Sequence, residues 1–480
     1  MKYLSTRGDR ELRTFSQAVL EGLAPDGGLL VPEKLPDFSE EIQSWRGLDY
    51  PHLAARVLSP FASDLDEETL LKCCREAYGP SYGAEVAPLT RVGSYHLLEL
   101  IHGPTLAFKD VALQLLGRLF GVILEQRQEE LNIVAATSGD TGSAAIYGVK
   151  DVPRIRLFVT HPEGRIAPLQ RRQMTTVIED SIFNIAVSGS FDDCQAMVKE
   201  LSRDLDFKRN YRIGAVNSIN FARIAAQMVY YFAAYLQTEE SASGIPAVFA
   251  VPTGNFGNIL AAEYARRMGL PIAGLVLASN ENDILPQFFR TGEYRRGEAH
   301  HTYSPAMDIQ VASNFERYLY LSLNGDGHKV RELMEEFASS GKLRAPLIDQ
   351  EIWRAHSCSN QQTLETVAEV LKNQGRLLDP HTATAWWGMQ QSEDSFSPEF
   401  PRIVVATAHP AKFPNVLEKV VSNEVVGFTH PKLESLLQKP ERLFELPASS
   451  DALKRFVKEG IQRGSRGVFS ETEEKAGRHG

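Results

Sequence analysis

The chain has 480 residues, 43% of them hydrophobic, enough to bury a large core and to build two or three domains. Its 51 basic and 61 acidic residues leave a formal net charge of −10, which offers no electrostatic footprint for a nucleic acid or an anionic membrane. The cysteines are adjacent (Cys73, Cys74) or isolated (Cys194, Cys358), so no C-x-x-C pair points to zinc, a cluster or dithiol chemistry, and no metal is expected.

The first segment, "MKYLSTRGDRELRTFSQAVLEGL", lacks the apolar core of a secretory signal, and no later run is long and uncharged enough to span a bilayer; a cytoplasmic location is expected. Residues 1–95 have mixed helical character and are expected as an N-terminal domain. In "HGPTLAFKDVALQLLGRLF", residues 102 to 120, Lys109 stands at the mouth of a segment that is apolar on nearly every face. "LNIVAATSGDTGSAAIYGV" then runs from a β-branched strand, Asn132 to Thr137, through a turn of small residues into a helix. The same grammar recurs in "SIFNIAVSGSFDDCQAMVKEL", "YRIGAVNSINFARIAAQMVYYFAAYL", "AVFAVPTGNFGNILAAEYARRMG" and "RIVVATAHPAKFPNVLEKVV". Strands alternating with helices predict an α/β fold with open, mostly parallel sheets covered on both faces and ligands at the carboxyl ends of strands. A catalytic region over 96–425 is expected, with a small subdomain at about 131–210 inserted in the larger one. Residues 426–480 form a charged, helical C-terminal appendage, with "SETEEKAGRHG" expected to be disordered.

Three strand-to-helix turns carry the chemistry. In "VPTGNFGN", Gly254 and Gly257 let the backbone approach closely, and the helix that follows points its free N–H groups and positive dipole end into the turn, as an anion requires. The pattern is neither a nucleoside triphosphate loop nor a dinucleotide fingerprint, and a purely structural turn is the alternative. In "TSGDTG", Thr137 to Gly142, hydroxyls and backbone donors suit a carboxylate or phosphate, while Asp140 could simply cap the helix. In "ATAHPAKFP", Thr407 ends an apolar strand; His409 and Lys412 read more simply as a structural histidine and a solvated charge. Against these turns Lys109 gains a context. Apolar neighbours and a helix N-terminus destabilise its cation, and a neutral amine forms Schiff bases with carbonyl compounds; a local ion pair with Asp110 is the alternative. A phosphate cradle in the same fold supplies the second handle for pyridoxal phosphate.

"HGPTLAFKD", "TSGDTG", "VNSIN", "VPTGNFGN", "AMDIQVASNFER", "LDPHTATA" and "TAHPAKFP" occur in the order and approximate spacing of threonine synthases of the longer, bacterial and fungal type. The resemblance runs from "YLSTRG" and "APDGGLLVPE" to about residue 420 and implies fold type II of the pyridoxal phosphate enzymes, built like the tryptophan synthase β subunit. By that likeness Lys109 is the Schiff-base lysine, and Gly254, Asn255, Phe256, Gly257 and Asn258 hold the cofactor phosphate through backbone donors. Thr407 faces the pyridine nitrogen, and Asn217 is the partner for the phenolic oxygen. Thr137, Ser138, Gly139, Asp140 and Thr141 receive the substrate's α-carboxylate. Asp140 stands where distant members of the fold have Asn; since a carboxylate repels a phenolate, it is expected turned away or protonated. The implied reaction converts O-phospho-L-homoserine and water to L-threonine and phosphate, with Lys412, Arg223 or the "TSGDTG" hydroxyls as candidates for holding the substrate phosphate. The alternatives are a phospholyase that degrades phosphohomoserine or phosphothreonine to 2-ketobutyrate, a serine or threonine dehydratase, and a binding protein without catalysis. A monomer or homodimer with a small-molecule substrate is expected.

Overall fold

The computed structural model describes residues 1–464 apart from 138, 215, 423 and 424. Two sheets organise it. The larger has six strands in the order Trp353–Ser357, Ile272–Ser279, Ala247–Pro252, Arg402–Ala406, Tyr95–Glu99 and Leu89–Val92; every neighbouring pair is parallel except the last, an antiparallel hairpin. Its central strand Ala247–Pro252 is buried along its whole length, as a parallel strand covered on both faces must be, and accordingly reads AVFAVP with no polar alternation. The smaller sheet is parallel throughout, in the order Phe444–Pro447, Ile182–Ser188, Ile155–Pro162, Leu131–Ala136 and Ile213–Gly214. The expected α/β class and mostly parallel sheets are therefore present.

Both ends of the chain join the sheets. Residues 1–95 do not close on themselves: Leu89–Val92 and Tyr95–Glu99 form the edge hairpin of the large sheet, and Tyr3, Phe15 and Phe61 share one core with Leu115, Phe221 and Tyr264. The short antiparallel pair Tyr3–Ser5 and Leu30–Pro32 is too small to bury a core alone. The C-terminal segment packs on the small sheet. Phe444–Pro447 completes an edge of the small sheet, and Phe456 of the following helix meets the rings of Phe158 and Phe183 edge-on. The segment "SETEEKAGRHG", residues 470–480, expected to be disordered, lies outside the described residues.

Two helices carry the fold to the site. The helix Lys109–Arg127 and the helix Asp140–Val149 cross where both have glycine: a Cβ on Gly117 would lie 1.9 Å from the Gly148 carbonyl oxygen, so the backbones touch only because neither residue has a side chain. This contact draws together the two helix starts, one bearing Lys109 and the other Asp140. Beneath them the helix Phe221–Gln237 is buried from Phe221 to Leu236. The described cysteines are all free and buried, and among the described residues no helix is long and apolar enough to cross a membrane.

Candidate active site

Lys109, Asp140, Thr141, Arg223, the Gly254–Asn258 turn and Thr407 line one cleft, at the carboxyl ends of strands from both sheets. The backbone around Lys109 is pinned to the third turn: Phe108 N donates to the Thr407 carbonyl at 2.9 Å, and His409 N donates to the Leu106 carbonyl at 3.0 Å. Burial lowers the basicity of the Lys109 amine; the nearby Lys412 and Arg223 cations push the same way and Asp140 opposes them. The local pairing with Asp110 is absent. The Asp110 carboxylate instead accepts from Thr105 N at 2.8 Å and Thr105 Oγ1 at 2.7 Å, and burial pushes it up to about 6.

The glycine-rich turn has the close backbone approach expected of it. A Cβ on Gly254 would come within 2.9 Å of both the Ala306 oxygen and the Met307 Cα. Phe256 holds the left-handed φ of 65° that starts the helix Gly257–Arg267, while its ring leaves the cleft to pack against Phe289, Phe315, Tyr318 and Trp353. Its contribution to the cleft is therefore backbone. The Asn258 side chain accepts from the Tyr231 hydroxyl at 2.7 Å and from the Tyr230 hydroxyl, but its Nδ2 has no acceptor. Arg223 is similarly placed: it is buried, and its Nε and Nη1 find no partner in the described protein. Burial brings this guanidinium down to about 10, still a cation at neutral pH.

The "TSGDTG" turn departs from expectation at Asp140. The carboxylate faces the Lys109 and Lys412 amines, and it does not cap its helix. Its Oδ1 meets Lys412 Nζ at 2.8 Å and accepts from Gln170 Nε2 at 3.1 Å; its Oδ2 lies 3.6 Å from Lys109 Nζ. Burial alone would raise its pKa, but the Lys412 and Lys109 charges outweigh burial and hold it well below the usual carboxylate range. Lys412 is correspondingly buried and not solvated, with a second bond to the Thr105 carbonyl at 2.8 Å. The Thr137 hydroxyl is consumed within the turn, accepting from Gly139 N at 3.0 Å and Gly142 N at 2.8 Å, so it shapes the turn. Ser138 lies outside the described residues. Asn217 is exposed and is not brought to the cleft wall, which at that point carries Ser218.

His381 was not singled out as a site residue, yet it lines the cleft. Its Nδ1 bonds Asp379 Oδ1 at 2.9 Å and its Nε2 accepts from Ala306 N at 3.2 Å, which ties down the segment packed against Gly254. The neighbouring Thr382 Oγ1 accepts from Thr407 N at 3.3 Å. An Asp-Pro-His at a helix start, with Asp379 as its cap, was the available signal.

Residues 2–78 match the family model for the threonine synthase N terminus, 86–407 that for pyridoxal-phosphate dependent enzymes, and 382–457 that for the threonine synthase C-terminal region. A threonine synthase of Pseudomonas aeruginosa is 45% identical, over 97% of this chain and 99% of its own. The chain belongs to the threonine synthase family. Solved threonine synthases agree in fold: that of Brucella melitensis superposes with a TM-score of 0.90 at 40% identity, covering 96% of this chain and 99% of that one. The yeast enzyme gives 0.90 at 35% identity over the same shares. The residues of this threonine synthase family member also fit pyridoxal phosphate on their own chemistry. The cleft holds a buried, weakened lysine amine for its carbonyl, and a tight backbone turn with the orphaned donors Asn258 Nδ2 and Arg223 Nε and Nη1 for its phosphate.

Proposed function

We propose that this threonine synthase family member converts O-phospho-L-homoserine and water to L-threonine and phosphate, with Lys109 as the lysine that carries pyridoxal phosphate. The observation that supports this reading best is the buried Lys109 amine opposite unpaired phosphate-type donors in one cleft. The bound cofactor supplies an electron sink for charge developing on the substrate's α carbon. The backbone of Gly254–Asn258, at a helix start, and the Arg223 guanidinium hold phosphate monoester charge. Thr407 presents a neutral hydroxyl to the ring nitrogen, which does not demand a protonated ring. Gly139 and Thr141, at the start of the Asp140–Val149 helix, receive the substrate carboxylate.

Lys109 Nζ removes the α proton and then a β proton, whose electron pair expels phosphate from Cγ; protons return to Cγ and Cα, and the hydroxyl of water adds to Cβ. Its lowered basicity suits that work, since the amine must be free of its proton at neutral pH for part of the cycle. Borohydride reduction of the cofactor-loaded protein followed by peptide mapping tests the assignment. The label should fall on Lys109 and be absent from Lys109→Ala; a label on any other lysine contradicts it.

A further inference from the structure

Asp140 and Lys412 lie far apart in sequence and on different sides of the cleft. Asp140 opens a helix of the small sheet, and Lys412 follows the Arg402–Ala406 strand of the large one. Their contact at 2.8 Å is continued by Lys109 at 3.6 Å, so three buried side chains form a row of cation, anion and cation that ends on the lysine nitrogen. The row is braced at two of its three members, by Gln170 Nε2 on Asp140 Oδ1 and by the Thr105 carbonyl on Lys412 Nζ. Two of the three Lys412 ammonium hydrogens are thereby committed within the protein.

We propose that Asp140 and Lys412 together set the protonation of Lys109: the Asp140 charge stabilises the protonated lysine nitrogen each time it carries the substrate's proton, and Lys412, which keeps Asp140 ionised, opposes that cation as a like charge. The inference rests on the reading of Lys109 given above. In the step concerned, the Cα–H bond breaks, its electron pair stays with the substrate and the cofactor's electron sink, and the proton moves to Lys109 Nζ; none passes to Asp140. Other charged or titratable groups face the row: Arg223, which weakens the lysine cation, and the His381 imidazole, which reaches Asp140. Asp110 lies behind, where Lys412 and Lys432 reach it. Removing the anion and removing the outer cation should therefore move Lys109 in opposite directions, whereas loosening of the site moves it one way only, toward an ordinary lysine.

The test uses the cofactor-loaded enzyme without substrate. Its visible absorbance follows whether the lysine nitrogen is protonated, and it is titrated against pH. Asp140→Asn should move the midpoint to acid by roughly tenfold or more in proton concentration, and Lys412→Met should move it to base by roughly tenfold. Lys412→Arg should restore the wild-type midpoint within about twofold. The pH dependence of kcat should follow the same order. Both variants moving the same way, or neither moving while borohydride still labels Lys109, overturns the inference alone; loss of the Lys109 label in the wild type overturns the reading beneath it. Should Lys412→Met fail to fold, the isosteric Asp140→Asn decides, an acid shift supporting the inference and an unmoved or basic shift overturning it.

Discussion

Replacing Arg223 with methionine should stabilise the cofactor-free protein while weakening its hold on phosphate. The side chain is buried, 4% exposed, and two of its nitrogens have no acceptor. A buried donor without a partner costs about 1–3 kcal/mol, so exchanging the guanidinium for an apolar chain of similar length should gain about 2 kcal/mol or more when no phosphate is present. In a chain of this size that raises the unfolding midpoint by about 2 °C. With phosphate bound the sign reverses, because hydrogen bonds to charged groups contribute about 1.5–3 kcal/mol, roughly ten- to hundredfold in a dissociation constant. Thermal unfolding of the cofactor-free protein gives the first quantity. Cofactor titration by absorbance and the KM for O-phospho-L-homoserine give the second, and show whether the phosphate concerned belongs to cofactor or substrate. A variant less stable than the wild type without cofactor, or one that binds both molecules as the wild type does, refutes the reasoning.

Gly117→Ala places a Cβ 1.9 Å from the Gly148 carbonyl, against backbone that cannot rotate away, and should cost about 3 kcal/mol as the helices bearing Lys109 and Asp140 part. Unfolding midpoint and turnover should fall together; a fall in neither shows that the crossing does not hold the site. Glu99 is buried, which alone would raise its pKa, but bonds from His102 and Thr90 and the charge of Arg376 bring it down to about 2. A carboxylate depressed on folding stabilises above its unfolded value, near 4.5, and that contribution disappears as pH falls through the folded value. Glu99→Gln should therefore lose up to about 3 kcal/mol at pH 7, with the gap to wild type closing between about pH 4.5 and 2 in unfolding curves; a gap that does not depend on pH contradicts the linkage.

Much of the fold was legible because it rests on local pattern. Apolar runs such as AVFAVP and RIVVA can only be covered parallel strands, and the glycine-rich turns that follow them mark the cleft. Lys109 was legible because a lysine in a wholly apolar helix start is costly unless it has work to do. For Asp140 the sequence weighed only a cofactor oxygen; its near partner Lys412 comes from the other sheet and has no local signature. Arg223 stood among the candidates for the substrate phosphate, although its helix's face pattern says only that it is buried. Asn217 failed for a different reason: the loop ahead of that helix exposes it and turns Ser218 to the cleft. The C-terminal strand escaped notice because Phe444–Pro447 has four residues with only alternate ones partly covered, too short a run to announce pairing with a distant strand.

The most direct measurement is product analysis after incubating the cofactor-loaded protein with O-phospho-L-homoserine. L-threonine and inorganic phosphate in equal amounts are expected; 2-ketobutyrate and ammonia in place of threonine would contradict the proposed activity.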